Sequence, residues 1–307
     1  MASLQAYLAA FMVRRQVRRS LGGMENLGRV RAVFEGARIP APRGVRYRSE
    51  SLGGIPGEWV ESDSPARDAG RTTLLYIHGG GFVACSPRTH RPITGWFAAH
   101  GFRVFAPDYR LAPEHPFPAA VEDVVAAWRG LQAAVPGGAV VAGDSAGGTL
   151  ALALMLALRD AGAMLPGGAA LFSPGTDLAG TGDSMRTNAR RDAMFRSDAI
   201  HHLADAYLGG ADPRIPLASP LYADLAGLPP LLIHVGEREI LRDDSTRLAE
   251  RARAAGVKVD LRVWPVVPHV WQFAHVTVPE ARRSLAAAAT FLHQAGAVPR
   301  TAPKEYA

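Results

Sequence analysis

The segment Val140 to Gly148, Val-Val-Ala-Gly-Asp-Ser-Ala-Gly-Gly, constrains this chain more than any other. A short apolar, β-branched run leads into Gly143-Asp144-Ser145-Ala146-Gly147, and a helix-forming stretch from Ala146 to about Arg159 leads out. Strand, tight turn and helix around Gly-x-Ser-x-Gly make a nucleophile elbow. The turn forces the serine into a strained conformation, and glycines two residues before and after it leave room for backbone that a Cβ would block. The hydroxyl then stands at the end of a sheet, beside a helix N-terminus whose free N–H groups favour negative charge. Without the flanking strand and helix the same five residues read as an ordinary loop; with them, Ser145 reads as a nucleophile.

The rest of the chain alternates in the same way. Thr72–His78, Phe102–Ala106, Ala139–Ala142, Ala169–Phe172, Leu231–Val235 and Val257–Val263 read as strands. Arg91–His100, Ala119–Ala134, Asp243–Ala255 and Pro279–Gln294 read as helices between or after them. Buried apolar strands alternating with helices predict an α/β fold, a mostly parallel central sheet covered on both faces. Residues 43–61 carry strand alternation with a Gly53-Gly54 turn, and a polar loop follows at 62–70. Two regions break the pattern. Residues 1–42 are helical, interrupted at Gly22-Gly23, and residues 179–225 form an insert with one helical stretch, Ser197–Leu208. Inserts of this length are usually functional when ordered, and the two regions together are expected to form a lid. The domain reading is therefore a core at 43–178 and 226–297, cap parts at 1–42 and 179–225, and a tail at 298–307.

Composition bounds the function. Hydrophobic residues are 48% of the 307 and charged residues 20%, so a packed core is expected and disorder is not. A single cysteine, Cys85, excludes an internal disulfide framework and fits a reducing, cytoplasmic compartment, with Cys85 a small buried residue. The net charge of +6 is spread through the chain rather than gathered in a stripe with aromatics, which argues against a nucleic-acid partner. Leu4–Val13 is apolar and followed by Arg14, Arg15, Arg18 and Arg19, the reverse of a secretory signal and too short to span a bilayer. It reads as an amphipathic helix with Leu4, Leu8, Phe11 and Met12 on one face, which could pack on the protein or touch a membrane; packing, without stable membrane insertion, is the favoured reading.

A serine hydroxyl needs a general base within hydrogen-bond reach, and the base needs a carboxylate to orient it. In a fold of this kind those partners follow the serine in the order acid, then histidine, in loops after C-terminal strands. Leu231–Val235 is followed by Gly236 and then Glu237, Glu239, Asp243 and Asp244, and the next strand is followed by His269. There are ten histidines, and its place in the loop just after the last strand raises His269 above His234, His275 and the others. The strand from Thr72 ends in His78-Gly79-Gly80-Gly81-Phe82, where glycines let backbone N–H groups turn toward an oxyanion. No Gly-Lys-Ser/Thr follows, so a phosphate loop is disfavoured, and His78 has no second ligand at zinc spacing.

These stretches, with Asp108-Tyr109-Arg110-Leu111-Ala112-Pro113-Glu114 and Pro268-His269-Val270-Trp271, closely resemble the hormone-sensitive-lipase-like (bacterial family IV) carboxylesterases of the α/β-hydrolase fold, over residues 45–297. The resemblance implies Ser145 as nucleophile, His269 as base, and the backbone N–H groups of Gly80, Gly81 and Ala146 as oxyanion donors. The family's acid loop, Gly-x-x-Asp-x-Leu-x-Asp, is matched by Gly236, Leu241 and Asp243, with Glu239 where aspartate is commonest. Glu239 is taken as the acid and Asp243 as a bracing or capping group; Asp243 and Asp244 remain the alternatives. Tyr109 to Glu114 is similar to a structural brace. The resemblance further implies a cap from the two irregular regions, short acyl chains, no metal or cofactor, and a homodimer paired near the last strands. Phe34, Phe82, Met194 and Phe195 are candidate pocket residues. The expected activity is hydrolysis of short-chain carboxylic esters through an acyl-enzyme. An amidase or arylacetamide-type deacetylase on the same triad is the alternative, and a small-molecule-binding protein on the same fold is the non-enzyme alternative.

Overall fold

A computed structural model describes residues 2–22, 24–36, 39–64, 71–135 and 138–297. The tail expected at 298–307 and most of the loop expected at 62–70 lie outside the described residues. In chain order, helix α1 (Leu4–Val13) runs through a π-helical turn (Arg14–Arg18) into α2 (Arg19–Leu21), and α3 (Leu27–Gly36) follows. The sheet and its helices are β1 (Val45–Leu52), β2 (Ile55–Ser62), β3 (Thr72–Ile77), α4 (Arg91–Ala99), β4 (Phe102–Pro107), α5 (Ala119–Ala134), β5 (Ala139–Asp144), α6 (Ala146–Asp160) and β6 (Ala169–Phe172). The insert carries α7 (Ser184–Thr187) and α8 (Ser197–Leu208), and β7 (Leu231–Gly236), α9 (Arg242–Ala254), β8 (Val259–Trp264) and α10 (Pro279–Gly296) complete the chain.

The eight strands form one sheet in the order β1-β2-β4-β3-β5-β6-β7-β8. β1 and β2 pair antiparallel, β2 pairs antiparallel with β4, and every pairing from β4 through β8 is parallel. Side-chain alternation divides the core in two. Leu74, Tyr76, Val140 and Ala142 face α4 and α10, whereas Leu75, Ile77 and Val141 face α5 and α6. That is why the central strands read as continuous apolar runs: both faces are covered. The last strand begins later than its β-branched residues suggest. The Val257 amide is taken by the Ala252 carbonyl at 2.9 Å, closing α9, so β8 starts at Val259.

The N-terminal helix forms where its periodicity places it, but it packs on the face opposite to the one expected. Ala6 is buried, and Ala2 and Ala9 pack with it against Val267, Trp271, Val278 and Ala281, while Leu4, Leu8, Phe11 and Met12 stay exposed. The cause is in the anchors. The Ser3 amide and hydroxyl donate to the two Glu280 carboxylate oxygens, each at 2.7 Å, and Ser3 caps the helix through the Ala6 amide at 3.1 Å. At the other end Arg14 donates to the Arg190 carbonyl at 2.7 Å, and Arg18 donates to the carbonyls of Ala189 and Asp192. Small alanine side chains let the helix lie close to α10 and its preceding loop, and the anchors set its rotation.

A buried carboxylate pair ties the insert to α9. Asp244 Oδ2 accepts the amides of Thr176 at 2.7 Å and Asp177 at 2.9 Å. Burial raises the Asp244 carboxyl, and the Asp177 charge raises it further, to about 8. Burial opposes charge on Asp177 as well, yet hydrogen bonds from Thr181 and Tyr222 hold its carboxyl below the usual range.

Two predictions follow from this packing. Leu150, fully buried on α6, is expected to lose about 2–5 kcal/mol of stability on Leu150→Ala, whereas Leu8→Ser on the exposed stripe changes it by less than about 0.5 kcal/mol, measured by urea unfolding. For Asp244, the folded protein keeps a proton that the unfolded chain releases near pH ~4. Its contribution is therefore fully present below that value and lost as pH rises through about 8. Asp244→Asn keeps an acceptor for both amides and removes the charge, so the decline of the urea midpoint between about pH 4 and about pH 8 should flatten. An unchanged slope contradicts the assignment.

Candidate active site

β5 delivers the chain to Ser145 and α6 carries it away. Ser145 has φ 51° and ψ −122°, a conformation that L-residues adopt only under constraint. A Cβ at Gly147 would collide with the carbonyl oxygens of Ile77 and His78, and one at Gly143 with the carbonyl of Gly147. Both glycines are thus required by close backbone approach. The Ser145 amide donates to the Phe172 carbonyl at 2.8 Å, fixing the turn against β6.

His269 and Glu239 meet behind that serine, from loops 30 residues apart in sequence. His269 Nδ1 lies 2.6 Å from Glu239 Oε2, with the two side chains 4% and 2% exposed. The other carboxylate oxygen accepts the Ser173 hydroxyl at 2.7 Å and the Gly236 amide at 2.6 Å, so Glu239 has its lone pairs engaged on both sides. Asp243 is elsewhere: it accepts the Ser184 amide at 2.8 Å and pairs with Arg242 at 2.8 Å. Asp244 is taken up by Thr176 and Asp177 as described. Of Glu239, Asp243 and Asp244, Glu239 is the one in contact with His269. His269 Nε2 is buried with no hydrogen-bond partner among the described residues, and it lines the same cavity as Ser145. Strain surrounds this pair too: Val266, Val270 and Ser173 hold φ of 67°, 48° and 48°.

The glycine run forms the facing wall. Gly80 and Gly81 have φ of 115° and 63°; a Cβ at the first would strike the Ala84 carbonyl and at the second the Leu203 side chain. Among the described residues the amides of Gly80 and Gly81 donate to no backbone acceptor. Ala146 opens α6, where an amide has no partner inside its own helix. Three N–H groups are therefore available around the serine.

Beneath the run lies a set of polar side chains in which Tyr76 and His90 carry no local sequence signal. Asp144 accepts the Tyr76 hydroxyl at 2.8 Å and contacts the His90 ring at 3.2 Å. Burial opposes its charge, but the His90 ring and the Tyr76 hydroxyl outweigh burial and hold its carboxyl below the usual range. His78 stacks on Tyr109 with ring centroids 4.2 Å apart, and the Tyr109 hydroxyl donates to the His78 carbonyl at 2.8 Å. Burial, then the neighbouring His90, pushes the His78 imidazole down to about 3. Arg110 holds Asp123 through paired hydrogen bonds, and Arg31 of α3 reaches Glu114 and the Val83 and Ala112 carbonyls. The Tyr109–Glu114 stretch therefore braces the glycine loop and touches no part of the Ser145–His269 pair. Asp192 is another carboxylate with no local signal: it accepts the amides of Met194, Phe195 and Ile240, joining the insert to the acid loop.

Ser145, His269, Gly80, Gly81 and Ala146 open on one cavity of about 660 Å3. Phe34, Phe82, Met194 and Phe195 all line it, together with Ile200 and Leu203 of α8 and Ala9, Val13 and Val17 of the N-terminal rod. Phe195 packs edge-on to the His269 ring at 4.7 Å, and Phe82 stacks on Tyr207 at 3.7 Å. Cys85 also faces the cavity; burial raises its thiol to about 12, so it is inert as a nucleophile. Among the described residues no group of three or more His, Cys, Asp or Glu side chains is placed to hold a metal ion.

Comparison with known proteins agrees with this geometry. A family profile described as the alpha/beta hydrolase fold matches residues 74–273. An acetyl-hydrolase of Streptomyces hygroscopicus is 47% identical over 248 residues, covering 80% of this chain and 82% of that protein. An esterase of Acinetobacter venetianus is 38% identical over 255 residues, with 80% of this chain and 82% of that protein covered. The crystal structure of an esterase from the bacterial hormone-sensitive lipase family superposes with a TM-score of 0.86 at 40% identity, over 96% of this chain and 99% of that one. The chain belongs to the α/β-hydrolase family, in its hormone-sensitive-lipase-like esterase branch.

Proposed function

We propose that this chain is a serine carboxylesterase that hydrolyses short-chain carboxylic esters through an acyl-enzyme. His269 Nε2 takes the proton of the Ser145 hydroxyl as its oxygen attacks the ester carbonyl. Glu239 holds the ring in the tautomer with Nδ1 protonated and stabilises the imidazolium that forms. The oxyanion is received by the N–H groups of Gly80, Gly81 and Ala146, donors already fixed in place and therefore effective where charge develops. His269 then protonates the leaving alcohol, and a water repeats the sequence to release the acid. The observation that carries this reading is the 2.6 Å Glu239–His269 contact, with the far ring nitrogen unpartnered on the cavity that Ser145 lines.

The same proposal assigns residues 1–42 and 179–225 as a cap. Its support is that Val13, Val17, Met194, Phe195 and Leu203 from those regions line the cavity over Ser145. It also includes a homodimer through the sheet edge, supported by β8 being an edge strand with Val263 exposed, and a cytoplasmic location, supported by a single, buried cysteine.

Hydrolysis of p-nitrophenyl butyrate tests the assignment. Ser145→Ala and His269→Ala are expected to lower kcat by about 10⁴–10⁶-fold, and Glu239→Gln by about 10³–10⁴-fold. Asp243→Asn should stay within about threefold of wild type in the same assay. Retained activity in Ser145→Ala would end the esterase reading, and a crippled Asp243→Asn beside an active Glu239→Gln would move the acid.

A further inference from the structure

The N-terminal rod carries an apolar stripe that stays largely exposed; of its rings only Tyr7 is met by a cation, the Arg238 guanidinium 5.9 Å from its centroid. Leu4, Tyr7, Leu8, Phe11 and Met12 follow the i, i+3, i+4, i+7, i+8 spacing of one helix face, and Leu4 is 81% and Leu8 58% exposed. The helix is not loosely attached. The Ser3–Glu280 bonds and the Arg14 and Arg18 clamps hold it with alanines inward and large side chains outward. A contiguous exposed face of this kind on a fixed helix marks an interaction surface.

Charge identifies what covers it. Where the stripe ends at Phe11, a groove of about 520 Å3 opens, lined by Arg14, Arg15, Arg18, Arg19 and Arg196 and by no carboxylate. Arg196 is paired with Asp198, but Arg15 and Arg19 are exposed and form no ion pair among the described residues. Burial, then the neighbouring Arg14, lowers the Arg18 guanidinium, while the Asp192 charge opposes them. A second copy of this chain paired about the stripe would cover the apolar residues but bring no carboxylate-lined groove to the arginines. A nucleic acid would leave the apolar stripe uncovered. An anionic bilayer satisfies both parts, taking the apolar residues into its acyl boundary and the arginines among its headgroups.

The position of the face gives it a use. The inward side of the same rod supplies Ala9, Val13 and Val17 to the cavity of Ser145, and Val276, 69% exposed, lines the same cavity. We propose that the Leu4–Met12 stripe and the adjoining arginine groove form a peripheral docking surface for anionic lipid bilayers, bringing the mouth of the cavity to the membrane surface. Docking is independent of the ester-hydrolase reading; delivery of apolar esters from the bilayer to Ser145 rests on it. No helix among the described residues is long and apolar enough to cross a membrane, so the attachment is interfacial.

Co-sedimentation of the full chain with phosphatidylcholine vesicles, with and without about 30% phosphatidylglycerol, tests this. Wild type should bind the anionic vesicles, at least about tenfold more weakly in ~0.5 M salt, and bind neutral vesicles poorly. The double variants Leu4→Ser/Leu8→Ser and Arg15→Ser/Arg19→Ser should each weaken binding about tenfold or more, while hydrolysis of soluble p-nitrophenyl butyrate stays within about twofold. That rate separates the two readings, because loss of vesicle binding with full esterase activity bears on the docking surface alone. The proposal is overturned if wild type stays in the supernatant, if neutral vesicles bind equally well, or if Leu4→Ser/Leu8→Ser binds like wild type. It is also overturned if sedimentation equilibrium shows a dimer that this double variant dissociates, since the stripe is then a subunit interface.

Discussion

Everything in the site depends on the backbone of Ser145 being held where a serine does not go by choice. A conformation of φ 51° and ψ −122° costs on the order of 1–3 kcal/mol, and the surroundings must supply it. They do so from three sides. β5 and α6 are buried along nearly their whole length, the Ser145 amide is bonded to β6, and Gly143 and Gly147 allow backbone to approach where any side chain would intrude. The strain is thus borne by the sheet itself, and the hydroxyl is presented without a flexible loop beneath it. The same close approach brings Gly147 against the end of β3, which is why the glycine run and the elbow share one wall of the cavity.

Around that fixed point the polar groups sort into those facing the cavity and those holding them. Asp144, adjacent to the serine, borders the cavity with its carboxylate engaged by Tyr76 and His90, against Gly79. Asp192 plays the corresponding part on the other side, joining Met194 and Phe195 to the acid loop, and Arg18 connects its carbonyl to the N-terminal rod. A chain of contacts therefore runs from the outer helix through Asp192 and Phe195 to His269. Buried carboxylates are tolerated in these places because each has several donors, the condition under which a charge can leave water.

How much of this was legible in the sequence follows from the range of the interactions. The elbow and the glycine run are local: a few adjacent residues define a turn, and their neighbours declare strand and helix. His269 was legible from its order in the chain. Glu239 was singled out over Asp243 and Asp244 only through the resemblance to a family loop pattern, because local residues do not say which carboxylate points at an imidazole 30 residues away. Tyr76, His90, Ser173 and Asp192 left no motif, as each works through partners in other elements. The rod at the N-terminus is the sharpest case. Periodicity announced an apolar stripe, but which way it faces is decided by Ser3 and Glu280, 277 positions apart, and by arginines whose partners are backbone carbonyls of the insert.

The central claim is that Ser145 becomes covalently acylated during turnover with Glu239 and His269 behind it. Rapid quenching of p-nitrophenyl butyrate hydrolysis, followed by mass mapping of peptides, tests it most directly. The account predicts a butyryl group on the peptide containing Ser145, formed in a burst of about one p-nitrophenol per chain whenever deacylation is the slower step. Steady turnover without a burst, with the Ser145 peptide unmodified and the acyl group absent or on another residue, would contradict it.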